Sequence, residues 1–479
     1  MIEAIAVLAV VLSVPVALAC GAVPFARHSA PRSRYGLVRG RHLVTGATLA
    51  VTGIAVLAFI AWYTHEDQHY DDFGSAMLVL LGMLCGALLV FGLGPFVPWT
   101  LGVLGRNAAR LPPAFRPAAR HLAGGSAWTS PAVALTMTAT AAAVAVTTVM
   151  FAETAQGRAH YQPRAWPGAL IVEGFSAEQA AAVRAALRHE LPDVPVAQDS
   201  GGAGSPSVES SEGLVWTNPC IGDRALLHYL TGDPSVPYDE GTAVVVSADE
   251  EETGSVLLRY HLPGDSPPVE KTIPAITVRP ADPRMEAVFV PAKVVQDSGR
   301  RLEPERLITD PSLHRTTADE QERLDRRLGE TATTYVERGF QAPTDWWYVV
   351  AGLLLIALTG ALAATRAAGS ERVLLRVSGR SAAPSRTLRF LVACRAAAGT
   401  ACGTVLGAVA GCVIGLLLAW PLTAPIDWDP PPRVPFDTPW ELIAALVVGL
   451  PVLAAAIAAL TSPGQVVRKA RKTARITPG

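Results

Sequence analysis

The string His65-Glu66-Asp67-Gln68-His69 fits the HExxH pattern. On a helix, its two histidines lie four residues apart on one face and can hold zinc, with the glutamate as base. Its context is that of a polar loop. It occupies part of a stretch of about eleven residues between two apolar blocks and runs straight into Tyr70-Asp71-Asp72-Phe73-Gly74. No third ligand stands at a plausible spacing. The expectation is therefore a solvated loop, with no catalytic or metal residues assigned. A membrane metallohydrolase at His65, Glu66 and His69 is kept as a remote alternative. A GxxxxGK[S/T] phosphate loop and a GxSxG elbow are both missing from the chain, so it is not expected to be an enzyme or to hold ATP by that route.

Two further patterns carry mechanical rather than chemical information. Gly399, Gly403, Gly407, Gly411 and Gly415 recur every fourth residue. On a helix they form one glycine-lined stripe, which lets another helix approach closely, within the chain or in a dimer. Residues Glu371, Arg372, Leu374, Leu375, Arg376, Gly379 and Arg380 belong to a segment that reads as a short amphipathic helix ended by its glycine. Such a helix is either an anchor on anionic lipid or a docking surface for a cytoplasmic partner.

The elements that must position these residues follow from hydropathy. Half of the 479 residues are apolar, and they gather in blocks towards both ends. Seven blocks reach the length a bilayer needs: roughly 4–26, 43–63, 75–103, 130–152, 347–365, 391–420 and 440–461. Arg395, near the start of the sixth block, is expected to snorkel. Arginines crowd alternate loops: Arg27 to Arg41, Arg106 to Arg120, Arg366 to Arg389, and the tail from Arg468. The positive-inside rule then predicts the N-terminus outside, the C-terminus in the cytoplasm and the polar middle outside the cell membrane. That middle, 153–345, carries 18 Lys/Arg against 31 Asp/Glu, which with a near-neutral whole chain gives no case for nucleic-acid binding. Its one cysteine, Cys220, is expected to be the thiol open to an impermeant reagent.

The polar middle reads as α+β, with short helices on a mostly antiparallel sheet. Ala169–Val172 is a predicted strand. Ser176 to Gln179 is a capping box opening a helix to about Glu190, with Ala182, Val183, Ala186 and Leu187 buried, and Val194–Ala197 completes a β-α-β unit. Residues 200–212 read as a loose Gly/Ser loop. Leu214–Trp216 is a strand, and Asp223 to Thr231 a helix stopped by Gly232. Ala243–Val246 and Val256–Tyr260 read as a hairpin across an acidic turn. Ala287–Val290 is a strand, Thr317 to Glu320 a second capping box, and Thr333–Val336 the last strand.

The chain is thus read as a multi-pass α-helical membrane protein of about seven transmembrane helices with one α+β extracytoplasmic domain. The divisions are 1–104 (three helices), 105–129 (cytoplasmic linker), 130–152 (one helix), 153–345 (outer domain), 346–465 (three helices, with loop 366–389) and 466–479 (basic tail). One span, a large outer domain and three more spans resemble the FtsX-like permease module of MacB-like and lipoprotein-releasing type VII ABC transporters. The strings that carry the resemblance are Ala118-Ala119-Arg120-His121 leading to Thr129-Ser130-Pro131-Ala132-Val133-Ala134, then Ile221-Gly222-Asp223 with Leu226-Leu227 and Leu230-Thr231-Gly232, then Val290-Pro291-Ala292 and Glu371 to Arg380. The resemblance covers about 108–465. It implies a permease subunit without its own cofactor, working with a cytoplasmic ABC ATPase that binds ATP and Mg. It also implies a homodimer or a paired permease in the lipid bilayer, mechanotransmission to the outer domain, and Glu371–Arg380 as the coupling helix. Larger members have two complete modules, and by the same resemblance spans one to three are expected to correspond to the tail of a first module and its linking spans. A non-transport sensor or scaffold with an acidic outer domain is the alternative.

Overall fold

The computed structural model describes residues 21–30, 40–65, 72–113, 115–124, 126–192, 194–202, 205–210, 215–248, 253–261, 269–281, 286–299, 301–367, 385–424 and 433–461. The chain divides into a helical unit, Met1–His160 with Ala342–Gly479, and a sheet-containing unit, Tyr161–Gln341.

The helical unit contains α1 (Gly40–Tyr63), α2 (Asp72–Leu93), α3 (Phe96–Arg106), a 3-10 turn (Asn107–Arg110), α4 (Arg116–Gly124), α5 (Ser126–Ala159), α10 (Trp346–Ala367), α11 (Ser385–Leu422) and α12 (Trp440–Thr461). Among the described residues, six helical stretches are long and apolar enough to cross a membrane: Gly40–Tyr63, Ala76–Arg110, Thr129–Ala159, Trp346–Ala364, Arg389–Leu422 and Trp440–Thr461. Most of the expected first span, 4–26, lies outside the described residues, as does Cys20. The third expected span is two helices, because Gly94 and Pro95 interrupt it and Pro95 caps α3. Arg395 does not snorkel: it is 2 % exposed, drawn in among the helices around α11.

In the sheet-containing unit, β1 (Leu170–Glu173), α6 (Ala180–Glu190), β2 (Val196–Gly202), β10 (Leu302–Thr309), α9 (Ala318–Leu328) and β11 (Thr333–Val336) build one lobe. Its sheet has the order β11-β1-β10-β2. β10 runs antiparallel to both β1 and β2, so β1 and β2 are parallel with β10 between them. The expected β-α-β unit is therefore split, and the lobe is a ferredoxin-like β-α-β-β-α-β arrangement. One face of its sheet, with Leu170, Val172, Leu307 and Val336, packs on Val183 and Leu187 of α6 and on Leu324 and Leu328 of α9. Each such leucine contributes about 2 kcal/mol by leaving water. Ala182 is exposed and Ala180 is buried instead, a shift of the α6 stripe set by where the helix meets the sheet. Ser176 and Gln179 exchange the reciprocal hydrogen bonds of a capping box ahead of α6, and Thr317 and Glu320 do so at α9.

The second lobe is inserted between β2 and β10. It contains β3 (Ser205–Ser210), β4 (Val215–Thr217), β5 (Cys220–Gly222), α7 (Arg224–Thr231), β6 (Ala243–Val246), β7 (Ser255–His261), β8 (Val269–Val278), β9 (Ala287–Pro291) and α8 (Ala292–Gln296). Its seven-stranded sheet has the order β4-β3-β7-β8-β6-β9-β5. Laid flat, seven strands would span about 29 Å. The edge strands β4 and β5 are joined only through Asn218 and Pro219, a link that reaches about 10 Å. The sheet must therefore curl, and Val208, Ile221, Val245, Val256, Leu258, Ile273, Val288 and Val290 fill the inside.

Three expectations are corrected here. Within the expected loose loop 200–212, residues 200–202 and 205–210 are strand, because β2 runs through Gly202 and β3 pairs with β4 and β7. Ala243–Val246 and Val256–Tyr260 do not form a hairpin: β6 pairs with β8 in parallel and with β9 antiparallel, while β7 pairs with β3 and β8. All four residues of β6 are buried, which marks a central strand. There are two sheets instead of one, because β8 and β10, absent from the sequence reading, complete them.

Candidate functional site

In the helical unit, the glycine stripe of α11 faces α5. A Cβ on Gly403 would lie 3.0 Å from the Val133 carbonyl, and one on Gly411 2.5 Å from that of Ala141. On Gly415 it would lie 2.7 Å from Cβ of Thr148 and 3.0 Å from the Ala145 carbonyl. Gly407 is tighter still against Met137, and Gly399 meets only Leu122 and Val133 in ordinary contact. Two helices four residues in phase thus meet backbone on backbone, which only glycine permits. The partner of the stripe is a helix of the same chain. α10 reaches α5 by the same device: the Thr136 hydroxyl donates to the Ala357 carbonyl at 3.1 Å, and a Cβ on Gly360 would lie 3.0 Å from the Ala132 carbonyl. α5 is thereby enclosed by α10 and α11. A second small-residue seam, absent from the sequence reading, joins α1 to α2: Gly46 opposes the Gly92 carbonyl and Gly53 that of Cys85. Its signal, Gly46 with Ala50 and Gly53, was legible in α1.

His65 lies just past α1, where its ring stacks on Trp420 at 4.9 Å, and the Arg433 guanidinium sits 5.2 Å from the same indole. Glu66 and His69 lie outside the described residues. Among the described residues, no three His, Cys, Asp or Glu side chains gather where a metal could bind. Glu371, Arg372, Leu374, Leu375, Arg376, Gly379 and Arg380, expected to form the coupling helix, also lie outside the described residues.

The sheet-containing unit holds two buried polar joints. The first lies where the chain enters and leaves the unit. Glu337 is 1 % exposed. One of its carboxylate oxygens accepts from the Tyr161 hydroxyl and from the Gly339 amide at 2.7 Å. The other accepts from the Arg164 amide at 3.0 Å and the Tyr335 hydroxyl at 3.1 Å. Burial raises its pKa, but the Tyr161, Gly339, Tyr335 and Arg164 hydrogen bonds outweigh that and hold it below the usual carboxylate range. Tyr161 packs edge-on against Phe340, and the Glu337 backbone pairs with Gly168 and Ala169. One carboxylate therefore pins the incoming segment of the chain to the outgoing one.

The second joint ties the two lobes together. Asp199 of β2 is 3 % exposed. It accepts from the Ile221 amide of β5 at 2.9 Å and from Arg306 of β10 at 2.5 and 3.1 Å. Beside it, a Cβ on Gly222 would lie 2.6 Å from the Gln198 carbonyl, so β5 can cross β2 only because that position is glycine. α7 lies between the sheets. Asp223 caps it, accepting from the Ala225 and Leu226 amides, and Gly232 ends it at φ 68°. Its Leu226, Leu227 and Leu230 bridge Ile171 and Ile308 of one sheet to Val244 and Phe289 of the other. Cys220 is half-buried in this joint, and burial, helped by Asp199, pushes its thiol up to about 12. Cys220 is thus half-buried, where an open thiol is the expectation from sequence. No family model and no curated protein matches the chain.

Proposed function

We propose that this chain is the permease subunit of an ABC-type system in the cell membrane. A separate cytoplasmic ATPase supplies the energy, and movement of the helices is passed to an extracytoplasmic sheet-containing domain for export, extraction or signalling. One observation carries the reading. The sheet-containing unit is inserted in the chain between α5 and α10, two span-length helices packed on each other at Thr136 and Gly360, and Glu337 clasps its entry and exit segments together. In the permease reading, a domain whose entry and exit segments are clasped by one carboxylate responds as a single body. The seven-span topology, with the N-terminus outside and the basic tail inside, rests on the arginine-rich loops. The permease carries no cofactor of its own, ATP and Mg binding on the partner, and it works as a homodimer or with a second permease.

The test is to purify the tagged protein from its native membrane in mild detergent, identify what co-purifies and assay ATP hydrolysis. A stoichiometric ATPase with vanadate-sensitive turnover is expected. Leu374→Asp and Arg376→Glu should release it while the helical unit stays folded. A folded preparation without an ATPase would sink the permease reading and favour a sensor or scaffold. Orientation is tested by Leu313→Cys, since Leu313 is 65 % exposed. An impermeant maleimide should label it on intact cells, and labelling only after lysis would reverse the topology.

A further inference from the structure

We propose that the segment from Arg106 to Arg120 is a binding platform for anionic phospholipid headgroups, an inference that rests on the membrane reading above. The chain carries no Asp, Glu or Lys from residue 73 to residue 152, yet this segment holds Arg106, Arg110, Arg116 and Arg120. All four are exposed. Arg106, Arg110 and Arg120 have no carboxylate partner among the described residues, and Arg116 donates from Nε to the Leu111 carbonyl at 2.9 Å, closing the turn between the 3-10 helix and α4.

The other side of the same segment is apolar and anchored. Ala108, Ala118, Ala119 and Leu122 are each at most 1 % exposed. Leu122 shares a core with Val97 and Leu101 of α3, and its side chain lies 3.7 Å from where a Cβ on Gly399 of α11 would be. The platform is therefore fixed at the ends of span-length helices, with arginines outward and alanine and leucine inward. That is the division of an interfacial helix lying along a bilayer. An arginine at such a level meets phosphate, which it binds as a planar, permanently charged fork.

A protein partner fits the surface less well. Protein interfaces centre on buried aromatic or aliphatic anchors. Among the described residues between the arginines, the fully exposed positions are Asn107, Ala109, Pro112, Pro113 and Pro117, and the two larger apolar residues, Leu111 and Phe115, are half-buried.

The experiment is native mass spectrometry of the full chain, purified in detergent and offered equal phosphatidylglycerol and phosphatidylcholine. The wild type should retain phosphatidylglycerol selectively. The variant R106Q/R110Q/R120Q should lose that selectivity by about tenfold or more. R106K/R110K/R120K should keep most of it, which separates loss of charge from loss of fold. The comparison variant R468Q/K469Q/R471Q/K472Q, in the basic tail, should lose less. Wild-type selectivity in the R→Q variant would overturn the proposal. So would unchanged lipid retention with release of a co-purifying ATPase, which would make the platform a protein-docking surface. A chain that stays soluble without detergent would instead defeat the membrane reading itself.

Discussion

The two units hold themselves together by opposite means. In the helical unit the closest contacts are backbone against backbone, made where Gly403, Gly407, Gly411 and Gly415 meet α5 and where Gly360 meets Ala132. The gain is dispersion summed over a long seam, and it depends on the absence of side chains. In the sheet-containing unit, large apolar side chains fill three cores, and buried carboxylates mark the places where segments must keep one arrangement. A glycine seam can slide or tilt with little change in polar bonding. A carboxylate such as Glu337, with four donors around it, cannot move without leaving them unpaired. Under the permease reading, this difference separates the part that moves from the part that is carried.

The largest effect is expected from adding bulk to the seam. Gly411→Leu should cost ~3 kcal/mol or more and prevent recovery of a folded helical unit, since its neighbours are backbone atoms of α5. Gly449→Leu, on α12, has open space around it and should be tolerated. Thermal stability by size-exclusion chromatography after heating reads both, and equal losses would deny the seam its special role. Next comes the lobe joint. Asp199→Ala leaves the Arg306 charge and the Ile221 amide unpaired and should cost about 3 kcal/mol, seen as a lower melting temperature of the sheet-containing unit.

Glu337→Gln is smaller, about 2 kcal/mol at neutral pH, because an amide replaces a charged acceptor. Its pH dependence sharpens the comparison. The folded-state pKa of Glu337 is lowered, so its contribution is complete above the ordinary glutamate value of about 4.3 and is lost as pH falls through the folded-state value. Wild-type stability should drop on acidification, and the Gln variant should be lower at pH 7 but flatter in acid. Parallel curves would mean that Glu337 does not titrate as described. Smallest is Thr317→Ala, which removes the α9 cap and should cost about 1 kcal/mol by denaturant unfolding.

Local features were legible from residue types and spacing. The Asp223 cap and the Gly232 stop of α7, the capping box at Thr317 and the all-apolar run Ala243–Val246 each follow from a few neighbouring residues. Strand pairing was not. β6 and β7 are close in sequence and separated by an acidic turn, which resembles a hairpin. Yet β8, with Pro274 in its run, takes the place between them and pairs with both. Gly201 and Gly202 resemble a flexible loop by composition, but β10 supplies backbone partners to both. The two polar joints were missed because a glutamate and an aspartate in an acidic segment look like solvent-facing charges.

By itself the sequence determined the number and length of apolar blocks, the spacing of the glycines, the charge of each loop and the helix ends, all of which are periodic or nearest-neighbour properties. Only the tertiary structure decided that the stripe of α11 faces α5, that the seven-stranded sheet curls on itself, and that Glu337 and Asp199 are buried. Each of these depends on groups far apart in the chain: Gly411 and Ala141, Tyr161 and Glu337, Asp199 and Arg306. Burial and partner choice are set by what packs around a residue, and that is fixed only when the whole chain has closed.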